Sequence, residues 1–192
     1  FIGGGNMARS LIGGLVATGM SNKDISVSEP KADLREKLTN DFGVNALEEN
    51  TSAVMGANVI VLAVKPQILQ EVVTPLGSLV SKERPLLISV AAGVTSSSIE
   101  RWVGGHPSLI RVMPNTPALI GAGISALYAN SNVSDDQRAL AEKIVSAVGK
   151  TIWIQEESLM DAVTAVSGSG PAYFFYVMQA IHDAAVREGL DA

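Results

Sequence analysis

The chain has 192 residues, a net charge of −5, 47% hydrophobic and 17% charged residues, two histidines and no cysteine. That length suits one large domain or one and a half ordinary ones, and the apolar content supports a substantial core rather than a disordered chain. The acidic balance, with no Lys/Arg cluster, argues against a nucleic-acid partner, and the Cys and His usage leaves no disulfide framework, thiol nucleophile or metal site.

The chain opens on Phe1-Ile2-Gly3-Gly4-Gly5-Asn6-Met7-Ala8, the end of a strand, a glycine turn and the start of a helix. Gly3, Gly5 and Ala8 fit the G-x-G-x-x-G/A pattern of dinucleotide-binding proteins. Met7, Leu11 and Leu15 give that helix one apolar face, and Gly19 fits its stop. Ile25 to Ser28 reads as a strand, and Pro30 suits the first turn of the next helix. Leu34, Leu38 and Phe42 stripe that helix, ended by Gly43. Val44 to Leu47 is a weak strand. Val59 to Val64 is continuously apolar, as in a strand buried on both faces, and far too short to cross a bilayer. A helix over Gln67 to Leu76 follows, then a buried strand over Leu86 to Val90. Ser97 and Glu100 read as a capping box for a helix ending near Val103. Strands are expected over Leu109 to Met113 and Ile124 to Tyr128. Ser134 and Gln137 cap a helix to Val148, and Thr151 to Ile154 is the last strand.

Strands alternating with helices predict an α/β, Rossmann-type, doubly wound and mostly parallel sheet over residues 1–157. No strand signal follows Ser158. Ser167-Gly168-Ser169-Gly170-Pro171 breaks one helix and starts another, and Phe174, Phe175, Met178, Ile181 and Ala185 recur at helical spacing. So many apolar groups on one helix need a partner surface. Residues 158–192 read as the beginning of an all-helical domain, expected to continue past Ala192. A soluble cytoplasmic protein is expected.

In such a sheet, ligands bind beyond the carboxyl ends of the strands, where three loops should converge. The first is the glycine turn, whose helix start favours phosphates. The second is Lys65-Pro66, where the lysine either meets a ribose or carboxylate or is simply solvated. The third is Ala91-Ala92-Gly93, whose small residues admit a flat ring or merely pack tightly. Met113-Pro114-Asn115-Thr116-Pro117 presents Asn115 and Thr116 in one geometry, as a polar pair beside a cofactor or as a structural corner. At the end of the second strand, Glu29 favours NAD(H), whereas Ser28 and Lys31 could hold the extra phosphate of NADP(H). Neither His106 nor His182 has a carboxylate or nucleophile spaced to support catalysis, so no catalytic residue is assigned.

Taken together, the opening glycine turn, Ala63-Val64-Lys65-Pro66, Ala91-Ala92-Gly93-Val94-Thr95, Met113-Pro114-Asn115-Thr116-Pro117 and Ser167-Gly168-Ser169-Gly170-Pro171-Ala172-Tyr173 resemble the pyrroline-5-carboxylate reductases. The resemblance spans nearly the whole chain, in the family's order. It implies an NAD(P)H-dependent reductase of proline biosynthesis acting on the C=N bond of Δ1-pyrroline-5-carboxylate. It implies cofactor contacts at Ile2, Gly3, Gly4, Gly5, Asn6, Met7, Glu29, Lys31, Asn50, Ala63, Val64, Lys65, Pro66, Val90, Ala91 and Ala92. It places Glu157 near the substrate pocket, with Asn115 as a second substrate-side candidate and the main substrate loop beyond Ala192. It also implies a homodimer through the helical domain, possibly assembled into a larger ring. A β-hydroxyacid dehydrogenase or imine reductase shares a similar opening but usually relies on a lysine in the second domain, and none occurs after Lys150. A nucleotide-binding module without catalysis is the third reading.

Overall fold

The fold grows outward from Phe1 and Ile2. The computed structural model describes residues 1–191. Although too short to form a strand of its own, the opening segment is hydrogen-bonded on both flanks. Ser28 N–H donates to Phe1 C=O at 2.9 Å and Gly3 N–H to Ser28 C=O at 2.9 Å, while on the other side Ile2 N–H donates to Val61 C=O at 2.8 Å and Ala63 N–H to Ile2 C=O at 2.8 Å. To one side lie β1 (Ser26–Ser28) and β2 (Asn45–Leu47), and to the other β3 (Val59–Leu62), β4 (Leu86–Ser89), β5 (Leu109–Met113), β6 (Gly123–Ala129) and β7 (Gly149–Trp153), in that order. Every pairing is parallel except that of β5 with β6. The chain therefore builds leftward from Ile2 to β2 and returns to build rightward from β3. The reversal sits at Ile2, and the crevice such a reversal leaves lies beyond the carboxyl ends of the strands.

The helices, in chain order, are α1 (Asn6–Ala17), α2 (Ala32–Phe42), α3 (Asn50–Val54), α4 (Pro66–Val73), α5 (Gly77–Glu83), α6 (Ser96–Val103) and α7 (Asp135–Val145). The central strands β3, β4 and β5 are buried on both sides because their alternate residues feed two cores, whereas β2 and β7 at the edges hold no buried residue. Val61, Leu86, Ile88, Ile110, Val112 and Leu127 pack with Leu11, Leu15, Leu38 and Ile144 of α1, α2 and α7. Ile60, Leu62, Leu87 and Leu109 pack with Leu69, Val80, Ile99 and Val103 of α4, α5 and α6. The predicted doubly wound, mostly parallel architecture is the one observed.

Local details differ from expectation in three places. Pro30 does not enter the first helical turn: α2 starts at Ala32 with Lys31 as its extended N-cap. Ser97 and Glu100 do not form a capping box, because Thr95 is the N-cap, its hydroxyl accepting from Ser98 N–H at 3.3 Å. Glu100 instead accepts from Asn130 Nδ2 at 2.8 Å. The short helices α3 and α5 had no clear periodic signature. The Ser134–Gln137 box at the start of α7 is present in both directions, at 3.3 and 3.1 Å.

After β7 the chain turns through Glu157–Leu159 into α8 (Met160–Val163), a π-helical turn over Thr164–Gly168, and α9 (Gly170–Arg187), with Pro171 in its first turn. No residue of α9 is buried. Among the described residues, no helix is long and apolar enough to cross a membrane, and no group of three or more His, Asp or Glu residues could hold a metal ion.

Candidate functional site

The glycine turn lies at the reversal point, between the ends of β1 and β3. Gly3 has φ +94°, and a Cβ there would lie 2.8 Å from the Ala63 carbonyl oxygen, so only glycine fits. Gly4 is enclosed by side chains instead, with a Cβ falling 2.6 Å from Leu38 Cδ1. Gly5 is different: it is exposed, its φ of −71° suits any residue, and a Cβ would meet nothing within 4 Å. Gly5 is also the N-cap of α1, and no side chain caps it. The first amides of a helix have no intrahelical acceptor, and the positive end of the helix dipole lies behind them. Ala8, fully buried, lets α1 approach the sheet closely.

Glu29, at the end of β1, is 7% exposed and turned inward. Its Oε2 accepts from Gly4 N–H at 3.0 Å and its Oε1 from Lys31 N–H at 3.1 Å. The carboxylate thus braces the glycine turn, while Pro30 and Lys31 form the exposed rim beside it. Arg35 ties this corner down by donating to the carbonyls of Glu29 and Pro30, each at 2.8 Å. Asn50, half-buried, opens α3 just beyond β2.

Two more loops meet this edge. Ala63 and Val64 leave β3 against Gly3, and exposed Lys65 then caps α4 with Pro66 at its first position. Val90 N–H donates to Leu62 C=O at 3.2 Å, holding the start of the Val90-Ala91-Ala92 loop beside the end of β3. Asn115 is 8% exposed and both ends of its amide are occupied. Its Oδ1 accepts from Ile124 N–H at 2.9 Å and its Nδ2 donates to Ser167 Oγ at 3.5 Å. Thr116 begins a short 3-10 turn.

Glu157 reaches back from the joint after β7. Its Oε1 accepts from Ser96 N–H at 2.6 Å and from Arg111 Nη1 at 2.8 Å, and its Oε2 from the Ser96 hydroxyl at 2.5 Å. Burial pushes this carboxyl up, but the Ser96 hydroxyl and N–H and the Arg111 guanidinium outweigh it and hold it below its ordinary value. Arg111 is 4% exposed in the middle of the sheet. Arg111 is the buried partner while the Glu157 side chain stays 24% exposed, so loss of the carboxylate would strand the guanidinium inside the sheet. Sequence reasoning missed Arg111, although a lone charge inside Leu109-Ile110-Arg111-Val112-Met113 was the available signal.

Residues 1–93 match a family model described as NADP oxidoreductase, coenzyme F420-dependent, and residues 157–192 match one described as pyrroline-5-carboxylate reductase dimerisation. The pyrroline-5-carboxylate reductase of Pseudomonas aeruginosa is 48% identical over 190 residues, covering 99% of this chain and 69% of that protein. The chain belongs to the pyrroline-5-carboxylate reductase family. A solved member from Coxiella burnetii superposes with a TM-score of 0.92 at 42% identity, over 100% of this chain and 71% of that one. The Plasmodium falciparum pyrroline carboxylate reductase, solved with NADP bound, gives 0.88 at 30% identity, over 100% and 70%.

The residues of this reductase-family chain fit a nicotinamide dinucleotide. The open space over Gly5 and the uncapped start of α1 suit a pyrophosphate. Glu29 and Lys31 follow β1, Asn50 follows β2, Ala63 to Pro66 follow β3 and Val90 to Ala92 follow β4, all at the carboxyl ends of parallel strands.

Proposed function

We propose that the protein reduces the C=N bond of Δ1-pyrroline-5-carboxylate to give L-proline, using NADPH or NADH. The observation that carries the reading is the contrast within the glycine turn: Gly3 and Gly4 are enclosed by the fold, whereas nothing in the fold encloses Gly5, which leaves its main chain open to a ligand. Bound there, the reduced nicotinamide supplies a hydride. The chain's part is placement. The main chain of Gly5, Asn6 and Met7 would hold the diphosphate, Glu29 keeps the turn in shape, and exposed Lys31 would supply a cation for a ribose phosphate. The small Ala91-Ala92 loop leaves room for a ring, and Asn115 and Glu157 border the substrate side.

Hydride added to a neutral imine would leave charge on nitrogen, whereas a protonated imine yields the neutral amine directly. The residues therefore need to align two carbons and anchor a carboxylate, and no acid–base side chain is required. We place the domain division at 157/158 and assign residues 158–192 to a homodimer interface, assembled further into a ring. We place the enzyme in the cytoplasm, a compartment that supplies reduced nicotinamide. The test is NADPH oxidation by the intact protein, followed at the nicotinamide absorbance band. Substrate-dependent oxidation is expected with pyrroline-5-carboxylate. Cofactor binding without turnover would leave a nucleotide-binding module instead.

A further inference from the structure

The odd-numbered face of β5 is a seat for the segment that follows β7. Arg111 meets Glu157, Met113 meets Gly168, where a Cβ would lie 2.5 Å from Met113 Cε, and Asn115 meets Ser167 at 3.5 Å. The even-numbered residues Ile110 and Val112 point into the opposite core. Glu157 does more than dock that segment. Through Ser96 N–H and Oγ, the same carboxylate grips the first turn of α6, which is entered directly from the Ala91-to-Thr95 loop. One side chain thus joins the centre of the sheet, the loop beyond β4 and the root of the helical segment. Its oxygens have their partners inside the protein, which suits a brace better than a substrate ligand.

We propose that Glu157 is a positioning residue for the hydride-transfer step: it sets the Ala91-to-Thr95 loop and the helical segment in one register, without touching substrate or cofactor. The proposal rests on the reductase reading for its kinetic consequence only. Glu157→Gln preserves size and an acceptor but removes the charge that holds Arg111.

In that variant the Ser96 amide and the first turn of α6 should exchange hydrogen about ten-fold faster or more, since their acceptor is weakened. The kcat should fall by about ten-fold or more while the Kd for NADPH stays within about three-fold, because the brace bonds Ser96 and Arg111 and no residue of the diphosphate turn. Glu157→Asp, which retains the charge on a shorter stem, should recover kcat in part. A purely structural brace would lower the melting temperature and leave kcat per folded molecule untouched. That outcome, or exchange and kcat both within about two-fold of wild type, overturns the proposal.

Should Glu157→Gln fail to fold, Ser96→Ala decides. It deletes one hydroxyl, leaves the ion pair intact, and should lower kcat by about three-fold or more; undiminished kcat overturns the proposal. Absence of turnover in the wild type would sink the reductase reading alone, and the exchange rates would still decide whether the brace exists.

Discussion

Three consecutive glycines answer to three different constraints, and substitution separates them. Gly3 is held at φ +94° against the Ala63 carbonyl, so any side chain there strains the backbone and collides with main chain. Gly4 can accept a Cβ only if Leu38 and the Glu29 stem move. Gly5 is free of both restrictions, and replacing glycine, an acceptable N-cap, by a poor one costs about 1 kcal/mol. Gly5→Val should therefore shift the melting temperature by only about 2–4 °C, as expected for that free energy in a chain of this size. Its branched side chain would occupy the space reserved for the diphosphate, so the Kd for NADPH should rise by about ten-fold or more. Calorimetric titration beside a thermal melt reads both. Unchanged affinity would mean that the phosphate lies elsewhere.

The elements legible from sequence are those whose pattern is set by burial or by local chemistry. The runs in β3, β4 and β5 are apolar because both faces are covered, and Ser134–Gln137 is a cap whose two partners are three residues apart. What escaped notice depends on contacts remote in sequence. The Ser97–Glu100 pairing satisfies the same local rule as Ser134–Gln137, yet Asn130 takes Glu100, and Thr95 is left to cap α6. Arg111 has its partner 46 residues away, and Ser96 meets the same carboxylate 61 residues away. Glu29, whose place at a strand end favours NAD(H), also braces Gly4, a partner 25 residues away that no local pattern signals. The joint at Glu157 has its own pH signature. Its carboxyl is held below the ordinary value of 4.5, so the stability it contributes is fully present above that pH and is lost as pH falls through the lower folded value. Thermal melts of wild type and Glu157→Gln should show a constant gap above about pH 5.5 that narrows below about pH 4.5. A gap that instead closes between pH 6 and 8 would assign the effect to another group.

At the scale of the molecule, α9 is the element that the rest leaves uncovered. Phe174, Met178 and Ile181 lie on one face, Tyr173, Tyr176 and Val177 on another, and all six are more than half exposed. A helix apolar on more than one face is stable in water only when surrounded, so a single contact with the sheet would not suffice. The match of residues 157–192 to a dimerisation family model names the natural occupant, a second copy. Sedimentation of the intact wild-type protein should show dimers or larger species at micromolar concentration, with a melting temperature that rises with protein concentration. Phe174→Glu combined with Met178→Glu places two charges on one stripe and should shift the population toward monomer. Because neither residue lies near the glycine turn, the Kd for NADPH should remain within about three-fold, as for independent sites. Turnover should fall with the assembled fraction if the substrate side is completed by the helical domains. A wild-type chain that sediments as a monomer at tens of micromolar would show that α9 finds its cover within its own subunit.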